Sequence, residues 1–326
     1  MRVLVTGGGG YVGSLLVPHL VDAGYKVTVL DRFLFREDVF KSYLQNPFLS
    51  VIKGDICDLD AVKLALDGAD AVIHMACIAN DPTLELAPEL GRQINREAFV
   101  PLVRAAREAG VRRFIYASSS SVYGIKDGLA TEDMACEPIT DYSRYKYECE
   151  LALREPASGD MAYVILRPAT LCGWSPRLRL DTVPNLFVAQ AVCNKRITLF
   201  GGDQMRAMLD VRDMVRCYQR MLELPEAKID GKMWNVVKDN STMADMVKLV
   251  AECVGGRPDV VATPTEDRRS YAISGDLIKR DIEWVPVHSI RSAIATLIVA
   301  LLDGRVPDAM ASDVYYNVRR IGRLYA

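Results

Sequence analysis

Residues 3–14 read VLVTGGGGYVGS: a short apolar run, four consecutive glycines, then a fifth at Gly13. The run Val3-Leu4-Val5 reads as a strand. Val12, Leu15, Leu16 and Leu20 follow at helical spacing, and Gly24 is a natural stop. Val27–Leu30, Leu49–Ile52, Ala71–His74 and Phe114–Ala117 read as further strands, with helical patterns at roughly 60–67 and 93–109 between them. A helix over 144–154 and a strand at Tyr163–Leu166 continue the alternation. Fully apolar strands separated by helices require a parallel sheet covered on both faces, so the expected class is α/β and doubly wound. After Arg167-Pro168 the rhythm loosens, with Pro176, Pro184 and a Gly201-Gly202 turn. The expected division is therefore residues 1–170 and a smaller mixed region, 171–326, with some chain exchanged between them.

With 40 Lys and Arg against 42 Asp and Glu, the net charge is −2, and no basic footprint points to nucleic acid. No apolar run approaches the roughly 18 residues that span a bilayer. Met1-Arg2 leads straight into a strand-like run, without the apolar region and cleavage site of a signal peptide, which favours the cytoplasm. None of the eight cysteines form C-x-x-C, so they are expected to be reduced, mostly buried thiols. The three histidines, His19, His74 and His288, offer little material for a metal site, and none is expected.

The glycines fit two spacings, Gly8, Gly10 and Gly13 or Gly7, Gly10 and Gly13, and the downstream serines and Y-x-x-x-K choose the second, leaving Gly8 and Gly9 as turn residues. In either, glycine between a strand and a helix lets the backbone approach a pyrophosphate, while the helix N-terminus supplies N–H groups and partial positive charge. The second strand ends in Asp31, eighteen residues past Gly13, where a carboxylate accepts both ribose hydroxyls and repels a 2′-phosphate. The expected cofactor is NAD. Arg32, next in the chain, is the one residue that would help a 2′-phosphate. Asp55 either hydrogen-bonds the adenine amino group or caps the following helix.

Tyr142 and Lys146, in DYSRYKYE, share one helix face. A phenol with a pKa of about 10 is a poor base at neutral pH, and a neighbouring ammonium and a cationic nicotinamide would lower it. The alternative for the pair is a solvated helix face. Upstream, FIYASSSSVYG carries four serines off the end of a buried strand, where hydroxyls reach a ligand crevice.

The ordered set TGGGGYVG, Asp31, GDI (54–56), HMA (74–76), Asn95, SSSSVYG, YSRYK and LRPATLCG resembles the extended short-chain dehydrogenase/reductases that act as nucleotide-sugar epimerases and dehydratases. VPNLF (183–187), RAMLDVRD (206–213), WNVV (234–237) and DRRSY (267–271) extend the resemblance over nearly the whole chain. It implies a Rossmann-type sheet for NAD, a C-terminal region for a nucleoside-diphosphate sugar, and a homodimer through the helix carrying Tyr142. Tyr142 would be the base, Lys146 its partner and a ribose ligand, and Ser119 the serine three residues before the VYG valine. The cofactor would meet Gly7, Gly10, Tyr11 and Val12 of the loop, and Asp31, Arg32, Asp55 and Ile56 at its adenosine end. Met75, Ala76, Cys77, Ser118, Tyr142, Lys146 and Pro168 would surround the nicotinamide end with Asn95, which would help order the active-site strand region there. The substrate would meet Ser119, Ser120, Thr170, Arg177, Arg179, Arg206 and Arg269, with the arginines near its diphosphate.

In the resembled family, dehydratases carry an Asp-Glu pair after the catalytic Ser/Thr, decarboxylases a Glu before the valine, and 3,5-epimerases a Cys. Here Ser120 and Ser121 stand instead, too weak as acids or bases for elimination or enolisation. The expected reaction is thus redox at one carbon, C4: the hydroxyl proton passes to Tyr142 as hydride passes to NAD, making the protein a 4-epimerase or a C4 oxidoreductase. GWSPRLRLD (173–181) resembles a subgroup from bacterial capsule and lipopolysaccharide sugar pathways. The alternatives are a 4,6-dehydratase with atypical acid/base residues and a non-catalytic NAD-binding regulator, the latter disfavoured by the intact Tyr142 and Lys146.

Overall fold

The computed structural model describes residues 1–155, 161–265 and 270–325. Its central sheet has seven strands: β1 (Arg2–Thr6), β2 (Lys26–Asp31), β3 (Leu49–Lys53), β4 (Ala71–His74), β5 (Arg113–Ala117), β6 (Ala162–Pro168) and β7 (Lys232–Val236). Their spatial order is β7-β6-β5-β4-β1-β2-β3, every pairing parallel. This is a Rossmann-type sheet. The order reverses between β1 and β4, which opens a crevice at the strands' C-terminal ends.

Alternation along each strand feeds two cores. Val3, Val5, Ile73, Ile115 and Val164 pack with Leu16, Val17 and Leu20 of α1 (Gly13–Asp22). Leu4, Val72, Phe114, Tyr116 and Ile165 pack on the other face with α2 (Leu59–Leu66), α4 (Phe99–Glu108) and α5 (Asp141–Arg154). The short α3 (Asp81–Leu86) lies above the crevice end of this face, contributing Leu84. A third core, including Phe187, Val188, Met208, Ile294 and Leu297, belongs to the second half. That half carries a three-stranded sheet of Thr170–Cys172, Met205–Asp210 and Asp239–Thr242. It also supplies β7, which pairs with β6 in the main sheet. No helix among the described residues is long and apolar enough to cross a membrane.

Two helices differ from the sequence expectation. The pattern at 93–109 is broken: a wide turn at Gln93–Glu97 precedes α4. Within it, Asn95 pairs both ways with the Ile78 backbone, accepting from its N–H at 2.8 Å and donating to its carbonyl at 2.9 Å. The helix expected from 144 begins at Asp141, because Thr140 and Ser143 form a reciprocal cap at its start. The cysteines also depart from expectation. All eight are free thiols, yet only Cys149, Cys172 and Cys217 are buried, while Cys57 and Cys193 lie on solvent faces.

Beneath the C-terminal ends of β5 and β6 lies an ionic cluster withdrawn from water. Glu150 of α5 receives both Nε and Nη2 of Arg167 on β6, at 2.9 and 2.6 Å, and neither residue is more than 1% exposed. The Ser118 hydroxyl donates to the same carboxylate at 2.5 Å. Arg167 continues to the Tyr123 hydroxyl, which donates to Asn235 of β7. Close by, His74 shares a 2.7 Å hydrogen bond with the Thr6 hydroxyl and stacks on Tyr116. Burial, reinforced by the Lys146 charge, holds the imidazole neutral, with its pKa down at about 3.

Truncating one partner of a buried ion pair strands the other charge. Glu150→Ala should therefore cost about 3–5 kcal/mol in urea denaturation, whereas an apolar double replacement of Glu150 and Arg167 should cost far less. His74 titrates lower folded than unfolded, so the unfolded chain binds the extra proton between pH 6.5 and about 3. Stability from this group is present above pH 6.5 and falls as the pH drops, by about 1.4 kcal/mol per unit. His74→Phe should remove that acid-side slope in denaturation curves at pH 5 and 7.5.

Candidate active site

The glycine loop lies flat because side chains have no room there. Gly7 has φ +74°, and a Cβ on it would stand 2.6 Å from the Ala76 nitrogen. A Cβ on Gly13 would meet the Gly8 carbonyl oxygen at 2.3 Å, while Gly10 meets only the Gly7 oxygen, at 3.2 Å, and faces the cavity. Gly7 and Gly13 thus set the backbone, and Gly10 leaves the approach clear. The Gly9 N–H donates to Asp31 at 2.9 Å and the Phe33 N–H at 2.6 Å. Burial raises the Asp31 carboxyl from its usual range; these two donors, then Arg177 and Arg32, pull it back. Asp55 pairs with Arg32 at 3.2 Å, and the cap of α2 is Asp58, so the capping role weighed for Asp55 belongs three residues on. The Tyr11 hydroxyl donates to the Gly173 carbonyl at 2.6 Å, binding the loop to the second half.

From this loop a single cavity of about 620 Å³ runs along the crevice. Its wall includes Gly7, Gly10, Tyr11, Val12, Asp31, Arg32, Asp55, Ile56, Met75, Ala76, Cys77, Ser118, Ser119, Ser120, Tyr142, Lys146, Pro168, Thr170, Arg177, Arg179 and Arg206. Of the expected site residues, Asn95 does not reach it; Asn95 holds the Ile78 backbone behind the wall instead. Arg269 lies outside the described residues. A side-chain-free loop at a helix start, with a carboxylate at the end of β2, fits a dinucleotide.

At the other end, the cap at Thr140 puts Tyr142 in the first turn of α5, with Lys146 one turn on. Lys146 is buried, its ammonium donating to the Ala117 carbonyl at 2.7 Å and lying 6.0 Å from the Tyr142 ring centre. The solvated-face alternative for the pair therefore falls. Ser119 caps the turn Ser120–Tyr123, accepting from the Ser121 N–H at 3.1 Å. Burial pushes the Tyr142 phenol well above its ordinary value. The charges of Cys77 and Asp81 push the same way, and Arg179 and a hydrogen bond from Ser119 pull it down. Two cations therefore stand near the phenol: Lys146, expected from the spacing, and Arg179 from the second half.

The two arginines of SPRLRLD separate. Arg179 binds Asp181 at 2.7 Å and faces Tyr142. Arg177 lies toward the glycine-loop side of the cavity. Its guanidinium lies 3.8 Å over the Phe35 ring, bonds to Asn317, and faces Asp31 at the adenosine end. Arg206 stands at the far end near Tyr271. The wall residues that the sequence reading did not name include Asp81, Phe35 and Asn317. Asn80-Asp81-Pro82 carried a local signal, a cap followed by proline, and Asn80 does cap α3, at φ +71°. Nothing local marks Asn317, which joins the wall from 286 residues beyond Asp31.

Residues 3–236 match the family model described as the NAD dependent epimerase/dehydratase family. An uncharacterized UDP-glucose epimerase, YtcB, of Bacillus subtilis is 30% identical over 271 residues, covering 79% of this chain and 83% of its own. A dTDP-glucose 4,6-dehydratase of Streptomyces griseus is 26% identical over 311 residues, covering 91% and 93%. Among solved structures, MoeE5 in complex with UDP-glucuronic acid and NAD superposes with a TM-score of 0.83 at 26% identity, over 93% of this chain and all of that one. The chain belongs to the NAD-dependent epimerase/dehydratase family of extended short-chain dehydrogenase/reductases.

Proposed function

We propose that the protein is a nucleotide-sugar 4-epimerase or C4 oxidoreductase in which Tyr142 removes the hydroxyl proton. The observation that carries this reading is the convergence of Ser119, Tyr142 and Lys146 on one end of the cavity whose other end is the glycine loop. NAD, when bound, supplies the two-electron acceptor and a positive charge beside the phenol. Ser119 orients the substrate hydroxyl and steadies the phenolate by hydrogen bonding. Lys146, anchored on the Ala117 carbonyl, keeps α5 in register with the strand that carries the serines. Arg179 and Arg206 bring positive charge to the half of the cavity left for the nucleotide sugar.

A second reading gains one observation. Asp81 places a buried carboxyl group on the same wall, and its charge raises the Tyr142 phenol, so the cavity holds a carboxyl group although Ser120 and Ser121 replace the acids expected of a dehydratase. Product analysis by NMR separates the readings. Inversion at C4, or a stable C4 ketone, supports the first, and a 4-keto-6-deoxy product with solvent deuterium at the sugar carbons supports a dehydratase using Asp81. On the first reading Tyr142→Phe should lower turnover roughly 100- to 10,000-fold while NAD stays bound; undiminished turnover would overturn the assignment. The outer faces of α4 and α5 expose Val100 and Leu151, which supports a homodimer through the helix carrying Tyr142. Sedimentation should give twice the mass of one chain, and Leu151→Glu should give monomers.

A further inference from the structure

The helix α6 (Asn317–Tyr325) packs against α3 and meets the cavity wall at its first turn. Its one fully buried apolar side chain, Ile321, enters the core behind β1 and β4. Two polar fastenings reach the segment after β2: Arg320 Nε donates to the Leu34 carbonyl at 2.7 Å, and Arg32 donates to the Tyr325 hydroxyl at 2.6 Å. The Val318 N–H donates to Asp181 at 3.3 Å. The rest of the outer turn, including Leu324 and Arg323, is exposed. The helix is thus held by its packing on α3, the Ile321 plug, the pairing of Arg320 and Arg323 with Asp313, and a few hydrogen bonds, while its outer face stays in solvent.

Its first residue is part of the cavity. Asn317 is 3% exposed, lines the wall, and accepts a hydrogen bond from Arg177 Nη2. Arg177 is itself 2% exposed, is stacked on Phe35, and has no carboxylate within ion-pair distance among the described residues. Burial and the neighbouring Arg179 push the Arg177 guanidinium down to about 9. A buried cation of this kind gains from an anionic ligand beside it. Arg32, which pairs with Asp55 on the wall, is also the residue that fastens Tyr325. One chain of contacts therefore runs from the cavity wall through Arg177 and Asn317 into α6, and a second runs through Arg32.

We propose that α6, with Arg177 and Asn317, forms a clasp over the adenosine end of the dinucleotide, so that the dinucleotide leaves only when the helix undocks. This rests on NAD lying with its adenosine ribose at Asp31. The clasp suits an enzyme that must keep one cofactor through oxidation and return, because slow release retains the reduced form.

The test is hydrogen exchange of residues 317–325 in the wild-type chain with and without NAD, together with the NAD dissociation rate of three variants. The variants are Arg177→Gln, the pair Arg320→Ala and Tyr325→Phe, which frees the outer fastenings without replacing a wall residue, and a chain ending at residue 316. NAD should slow exchange in α6, and each variant should release NAD at least about tenfold faster. If wild-type protein binds NAD tightly and the fastening variant, folded by circular dichroism, releases it at the wild-type rate with α6 exchange unchanged by NAD, the clasp is wrong. Failure of wild-type protein to bind NAD at all would instead overturn the cofactor placement beneath it.

Discussion

The buried Glu150–Arg167 pair is the joint on which the reacting end depends. Both ions are out of water, so each must satisfy the other, and the geometry of the pair is not negotiable. Glu150 rides on the same helix as Tyr142 and Lys146, and Arg167 sits on β6. Ser118, the residue before Ser119, donates to the same carboxylate. The pair therefore fixes the helix that carries the base against the strand end that carries the serine. Lys146 on the Ala117 carbonyl adds a second tie between the same elements. Tyr123 and Asn235 carry the network to β7, so a strand from the second half also supports the site.

A second set of contacts closes the two halves over the crevice. Tyr11 reaches Gly173, and the Ser14 and Ser175 hydroxyls share a hydrogen bond at 2.6 Å. The Arg177 N–H donates to Ser14 at 3.1 Å. All are buried at the N-terminal end of α1, the place where a parallel sheet presents ligands to backbone N–H groups. The second half is thus anchored on the glycine loop itself. This explains why the arginines after Gly173 reach different ends of one cavity: Arg177 is drawn to the loop side, and Arg179, two residues on, turns toward Tyr142.

Much of this was legible in the amino-acid order. Apolar runs with glycine or polar residues between them located six strands of the main sheet, since parallel strands buried on both faces are apolar throughout; the edge strand β3 is the exception, mostly exposed. The glycine positions were readable because Gly7 and Gly13 leave no space for a Cβ. The Tyr142 and Lys146 pair was readable from a four-residue spacing. The wide turn at Gln93–Glu97 was not, because it is imposed by Asn95 gripping Ile78, a contact no helical pattern records. The place of Asp81 on the wall was not legible either, because it enters from the start of α3, far along the chain from Ser120 and Ser121.

By itself the sequence determined the parallel sheet, the dinucleotide loop, the carboxylate at Asp31 and the tyrosine and lysine on one helix face, all consequences of short-range spacing and steric exclusion. Only the tertiary structure decided which charges face the phenol, which arginine stands at the adenosine end, and that Asn317 completes the wall. Those depend on groups hundreds of residues apart being buried together. Once out of water, an ion's neighbours are set by packing rather than by its place in the chain.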